Sequence, residues 1–131
     1  MLRCTNIVNS TQDTEIRENI SFDQFLNVDL RVGKVLEATI PEGSEKLIRL
    51  VVDFGREQRT IFTGLKSWYE PDFFKGRLFV FVYNLEAKKM LGEKSQGMLL
   101  AVHVEDSENP TESKPLPVEA PPGSVSGQNL T

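Results

Sequence analysis

Several stretches in the body of the chain alternate or mass apolar side chains in the manner of strands, and their spacing predicts most of the architecture. In KLIRLVVDFG, from Lys46, the set Ile48, Leu50, Val52 and Phe54 is purely apolar and must face a core, against Leu47, Arg49, Val51 and Asp53. LRVGKVLEAT, from Leu30, puts Val32, Lys34, Leu36 and Ala38 on one parity, which predicts a half-buried strand bent at Gly33. RTIFTGL, from Arg59, predicts a third strand in which Ile61 and Thr63 oppose Phe62 and Gly64. RLFVFVYN, from Arg77, is apolar almost throughout, as expected of a strand covered on both faces. GMLLAVHV, from Gly97, completes a set of five. Phe22, Phe25, Phe62, Phe79 and Phe81 are expected in the core.

The intervening segments carry their own signals. Ser21 followed by Gln24 has the spacing of a capping box, and Ile20 is placed to staple against Phe25, so one helical turn is predicted before Asn27. IPEGSE and REQ read as turns. KSWYEPDFFKG breaks the two-residue period, and its aromatics and Pro71 predict a short helical cap ending at Gly76. Trp68 and Tyr69 in that cap suit a core position better than a stacking surface. Five strands with a cap between the third and fourth give an all-β fold, the five-stranded Greek-key barrel of the OB type with short helical caps and a C-terminal extension. Residues 1–19 read as a polar, flexible leader and 20–104 as the barrel. Residues 105–131, rich in proline, read as a linker or as an extension that gains structure only by lying on something else.

At 131 residues the chain is one domain long. Its apolar runs are too short to cross a bilayer, and no export segment stands at its start, so the expectation is a cytoplasmic protein with no membrane partner. A single cysteine, Cys4, and a single histidine, His103, offer neither a disulfide nor a histidine-rich metal site. No cofactor, metal or small-molecule substrate is expected. Neither a phosphate-cradling glycine loop nor a catalytic signature is present, so the chain reads as a binding module and not an enzyme.

Charge changes the picture because it is unevenly spread. The formal net charge is −4, yet residues 20–104 hold twelve basic against eleven acidic side chains, and the acidity lies mainly in residues 105–131. A near-neutral barrel can hold a polyanion if its cations gather on one face. NLEAKKMLGEKSQGML, Asn84 to Leu99, joins the fourth and fifth strands and carries Lys88, Lys89 and Lys94. In barrels of this type that connection flanks the ligand face. Arg31, Lys34, Lys46, Arg49 and Arg59 can add positive potential from the neighbouring sheet, with Lys34 and Arg49 best placed. Met90 and Met98 suit either a gap in the packing or the underside of a base.

The motifs DLRVGKV, EGSEKL followed by VDFG, IFTGLKSWYEP and NLEAKKMLGEKSQGM occur together in one order and spacing. In this the chain resembles the tRNA-binding domain at the C-terminus of bacterial methionyl-tRNA synthetases, which also occurs as free-standing tRNA-binding proteins, synthetase β subunits and a secretion-chaperone branch. The resemblance covers residues 20–104 and continues faintly into PPGSVSG. PEGSEKL, Pro41 to Leu47, is the synthetase-like form of the first turn, and Ile40 departs from the histidine form.

That resemblance implies binding of folded tRNA through shape and phosphate charge. Asn84, Lys88, Lys89, Ser95 and Met98 match the family element, and Arg31, Lys34, Lys46 and Arg49 lie on the facing sheet. It further implies a homodimer in which residues 105–131 pack across the two-fold axis through Leu116, Val118, Pro121, Pro122 and Val125, with a methionyl-tRNA synthetase as a further partner. A protein-binding module stays open beside it: a peptide-binding dimer like the chaperone branch, or a domain that assembles synthetase subunits.

Overall fold

A computed structural model describes residues 15–105 and 113–131. The leader's first part, Cys4 included, and the start of the extension lie outside the described residues. Five antiparallel strands form the barrel wall: β1 (Leu30–Thr39), β2 (Ile48–Asp53), β3 (Gln58–Thr63), β4 (Leu78–Val82) and, after the short strands β5 (Lys88–Met90) and β6 (Glu93–Ser95), β7 (Met98–Leu99). Their order in the sheet is β3-β2-β1-β4-β7. The wall nearly closes where the Gln96 amide donates to the Thr60 carbonyl (2.9 Å) and the Phe62 amide to Ser95 Oγ (3.0 Å). The five-stranded OB-type barrel expected from the sequence is therefore present.

Strand β2 follows its pattern: Ile48, Leu50 and Val52 are fully buried while Arg49, Val51 and Asp53 are half-buried. Strand β1 departs from its own. Its pairing with β2 slips between Val35 and Glu37, so the bulge sits at Leu36 and not at Gly33. The bulge lets Val35 and Ala38, of opposite parity, both point inward. Gly33 answers a different need, since a Cβ there would lie 2.5 Å from Val52 Cγ1 and 2.8 Å from the Phe54 ring. Phe54 meets Phe81 edge to face at 5.4 Å in the centre of the core.

The capping box forms with both halves, Gln24 N–H to Ser21 Oγ (3.1 Å) and Ser21 N–H to Gln24 Oε1 (2.8 Å), and starts the one-turn helix α1 (Phe22–Phe25). Phe22 is 67% exposed, not in the core, because a single turn lying outside the wall leaves its outer side to solvent; Phe25 is half-buried. A 3-10 turn at Pro71–Phe73 caps the barrel. Trp68 and Tyr69 pack against the core there.

The predicted fifth strand divides at Leu100. Beyond it β8 (Ala101–Glu105) leaves the barrel and pairs with β9 (Ser113–Pro117) in a separate ribbon. From Val118 the chain returns to its own barrel wall. Val80 N–H donates to Val118 O (2.9 Å) and Ala120 N–H to Leu78 O (2.9 Å), filling the edge of β4 that β7 is too short to cover. Farther on, Val32 N–H donates to Gln128 O (2.8 Å), Gly127 N–H to Val32 O (2.7 Å), and β10 (Asn129–Leu130) pairs with Leu30 and Arg31, where β2 does not reach. Main-chain groups that the five-stranded wall alone would leave without strand partners are thereby satisfied.

Candidate functional site

The connection between β4 and β7 folds as a β-hairpin of β5 and β6 turning at Leu91 and Gly92, whose φ angles are 50° and 81°. Positive φ at both central residues is the geometry that follows strand twist. Glycine adopts it at no cost, whereas Leu91, 54% exposed, adopts it against its steric preference.

Residues opposite each other in an antiparallel pair share a face. Lys89 stands opposite Lys94, and both face solvent. Lys88 stands opposite Ser95, and Met90 opposite Glu93, on the side turned to the barrel. The three lysines therefore divide, one inward and two outward. Ser95 is buried, and its hydroxyl oxygen accepts from the Phe62 amide.

Glu93 fastens the hairpin to the sheet. Its carboxylate accepts from Arg49 Nε (2.7 Å) and Nη2 (2.9 Å), a two-pronged contact on the outer face of β2. The Arg49 hydrogen bonds hold the Glu93 carboxyl below the usual carboxylate range, and the same bonds raise the Arg49 guanidinium. Arg49 is thus a paired cation that latches the hairpin down.

Between hairpin and sheet lies a cleft of about 480 Å³, lined by Phe62, Leu85, Glu86, Lys88, Met90, Ser95, Gly97 and Met98. Phe62 lies outside the main core cluster; its side chain points outward from β3, in register with Arg49, and is buried beneath the cleft. Met98 and Leu85 are 46% and 45% exposed.

Of the residues singled out in the sequence, Lys88, Met90, Ser95 and Met98 meet in this cleft, with Arg49 beside it through Glu93. Lys89 lies on the hairpin's outer face. Lys34 is exposed on β1, opposite Asp53, and Lys46 is exposed in the turn before β2. Asn84 and Arg31 stand away from the cleft and tie the frame together. Asn84 accepts from the Asp29 amide (2.9 Å) and donates to Asn27 O (2.7 Å), while Arg31 donates to Asp29 Oδ1 (2.9 Å) and Gly127 O (3.1 Å).

Sequence reasoning missed Leu85 and Glu86; Phe62 is buried as expected, but beneath the cleft and outside the main core cluster. The one available signal for Phe62 was its parity with Thr60 and Arg49 across the β2–β3 pairing, opposite to that of Ile61. Arg59 closes the barrel end: its guanidinium lies 3.6 Å over the Tyr83 ring, donates to Tyr83 O (2.6 Å) and pairs with Glu57, which also accepts from the Tyr83 hydroxyl. Among the described residues no group of three histidine, cysteine or acidic side chains gathers as a metal site would require, and no helix is long and apolar enough to cross a membrane.

Comparison with known proteins adds the following. Residues 30–125 match the family model described as "Putative tRNA binding domain", a span that takes in much of the extension. The chain is 44% identical over 95 residues to a methionine–tRNA ligase of Nitrosomonas europaea; the alignment covers 72% of this chain and 14% of that one. The chain thus spans about one seventh of the length of that relative. The crystal structure of a MetRS related protein from Pyrococcus horikoshii superposes with a TM-score of 0.76 at 35% identity, covering 88% of this chain and all of the other. The chaperone CsaA of Bacillus anthracis superposes at 0.72 with 25% identity, covering 87% and 100%.

Proposed function

The chain belongs to the tRNA-binding domain family, and from that premise we propose that it is a non-catalytic module holding folded tRNA by its shape and its backbone phosphates, alone or beside a methionyl-tRNA synthetase. The observation that carries this reading is the hairpin. Lys88 lines the cleft and Lys89 and Lys94 stand on the outer face of the same two short strands, a local gathering of cations in a chain of net charge −4. Lys34 on β1 and Lys46 in the turn before β2 are also exposed, and the proposal counts them as further phosphate contacts. RNA helices are read mainly through shape, 2′-hydroxyls and phosphates, which suits a surface rich in ammonium groups.

Fluorescence titration with tRNA at several salt concentrations tests the proposal. Neutralising about four to six phosphates gives a slope of log K against log salt of roughly −3 to −5. A flat response is the result that removes it. Lys88→Glu combined with Lys89→Glu is expected to weaken tRNA binding at least about ten-fold while the melting temperature holds, since both side chains are exposed.

A second reading, peptide binding, is favoured by the apolar part of the cleft, Phe62, Leu85, Met90 and Met98, and by the structural likeness to a chaperone. In either case a homodimer is the proposed assembly. Val102 and Leu116, paired across the β8–β9 ribbon and 55% and 40% exposed, offer an apolar contact for a second copy.

A further inference from the structure

The sequence places Arg59 among the cations that could add positive potential to the sheet, yet its side chain is 20% exposed and its guanidinium is turned to protein partners. We propose that Arg59 is a positioning residue: it clamps the two chain segments from which the β5–β6 hairpin springs, and so sets where Lys88 and Lys94 stand. This rests on the nucleic-acid reading of the hairpin and adds to it the group that orients the lysines.

The clamp is visible in its bonds. Arg59 Nη1 donates to Tyr83 O (2.6 Å), directly before the connection begins at Asn84, and more loosely to Gln96 O (3.4 Å), directly after β6 ends. One guanidinium thus spans the entry and the exit of the hairpin. The neighbouring Thr60 carbonyl accepts from the Gln96 amide (2.9 Å), so consecutive residues of β3 hold Gln96 by both of its main-chain groups.

The guanidinium is itself fixed in place. It lies 3.6 Å over the Tyr83 ring, and that ring meets the buried Phe54 edge to face at 4.9 Å, which refers the clamp to the centre of the core. Arg59 Nε donates to Glu57 Oε2 (2.7 Å), the same oxygen that accepts from the Tyr83 hydroxyl. Those two hydrogen bonds, the tyrosine's first, hold the Glu57 carboxyl below the usual carboxylate range. A planar fork can lie flat on a ring while its edge donates in several directions, which a lysine ammonium cannot reproduce.

The clamp also sits close to what it would position. Lys88 stands opposite Ser95, the residue before Gln96. Lys94 lies two residues from Gln96, about 7 Å along an extended strand. A displacement of Gln96 is therefore carried straight to both side chains. Near the turn the hairpin is held separately, by Arg49 on Glu93.

The test uses two variants for which charge alone predicts a different result. Arg59→Lys keeps the cation, and Glu57→Ala, at an exposed position, removes a negative charge that by itself opposes a polyanion. Binding to tRNA is expected to weaken about ten-fold in Arg59→Lys and a few-fold in Glu57→Ala, with the slope against salt unchanged because no phosphate contact is lost. Amide exchange in β5 and β6 should quicken about ten-fold in both, while Leu50 and Val52 in β2 keep their protection. Should Arg59→Lys fail to fold, Glu57→Ala carries both measurements. Tighter tRNA binding by Glu57→Ala would show that a released Arg59 meets phosphate directly, and overturns the inference. So does hairpin exchange unmoved in both variants, with the tRNA proposal left standing, and so does an equal loss of protection in hairpin and β2, which marks a general stabiliser. Wild-type protein that ignores tRNA retires that proposal instead, and hairpin exchange then decides by itself whether Arg59 is the clamp.

Discussion

Two segments are added to the same five-stranded wall, and they are attached in contrasting ways. The β5–β6 hairpin is fastened mainly by side chains: the Arg49–Glu93 pair, the Ser95 hydroxyl under the Phe62 amide, and one main-chain bond at Gln96. The extension is fastened by main-chain bonds laid along β1 and β4, at Val32, Leu78 and Val80, with apolar side chains beneath. Side-chain fastenings near solvent are weak and exchangeable, while strand pairing over a core is neither. The contrast separates a hairpin held largely by side chains from an extension that is a structural part of the barrel.

The largest test of that distinction is truncation. Removing residues 113–131 strips the bonds to Leu78, Val80 and Val32 and uncovers Val32 and Val80. At about 1 kcal/mol for each main-chain bond, plus the lost burial, the cost is comparable to a whole domain's stability of roughly 5–15 kcal/mol. Circular dichroism should show an unfolded or barely folded chain. A folded monomer instead of an unfolded one would mean that the extension serves assembly alone, the role its sequence first suggests.

Two glycines sharpen the comparison. Gly127 in the extension and Gly92 in the hairpin have nearly the same φ, 89° and 81°. An added Cβ at Gly127 would lie 2.2 Å from Phe54 O, whereas at Gly92 it meets nothing within 4 Å. Gly127→Ala is therefore expected to cost about 3 kcal/mol or more, backbone strain plus a clash, and Gly92→Ala only about 1 kcal/mol. Equal losses in urea unfolding would undo the proposed difference.

The smallest effect is expected at the latch. Glu93→Gln should leave global stability nearly unchanged, as loss of an exposed ion pair does, while making Arg49 available to phosphate and raising tRNA affinity a few-fold. Acid acts in the same direction. Hydrogen bonding to Arg49 depresses the Glu93 carboxyl in the folded state, so its contribution is present above the ordinary carboxylate value and disappears as pH falls through the depressed one. Amide exchange of the hairpin should quicken only in that acidic window. Faster exchange already near neutral pH would show that the latch is not what holds the hairpin.

What could be read from the chain alone divides by distance. The Ser21–Gln24 cap and the alternation of Ile48, Leu50 and Val52 are local, with the period or spacing written in adjacent residues, and both appear as expected. The lysines that mark the hairpin are local too. The Leu36 bulge was hidden because Val35 and Ala38 break parity by one residue, a shift visible only against β2. Glu93 gave no sign of its bond to Arg49, 44 residues away, and Asn84 none of its bond to Asp29, 55 residues away. The cleft escaped notice for the same reason: Phe62 looks like any core phenylalanine until the hairpin is folded over it. Prolines at 115, 117, 121 and 122 suggested a segment ordered only by lying on another surface, and part of that surface is its own barrel wall, which a segment that pairs along only part of its length reaches despite them.

Leu130 pairs with Leu30. During translation one edge of the first strand, at Leu30 and Arg31, must wait for a partner made about one hundred residues later, a delay of roughly 5–20 seconds at ordinary elongation speed. The nascent chain spends that interval with an uncapped margin at the start of β1, while the closure of the wall at Gln96 and Thr60 can already form.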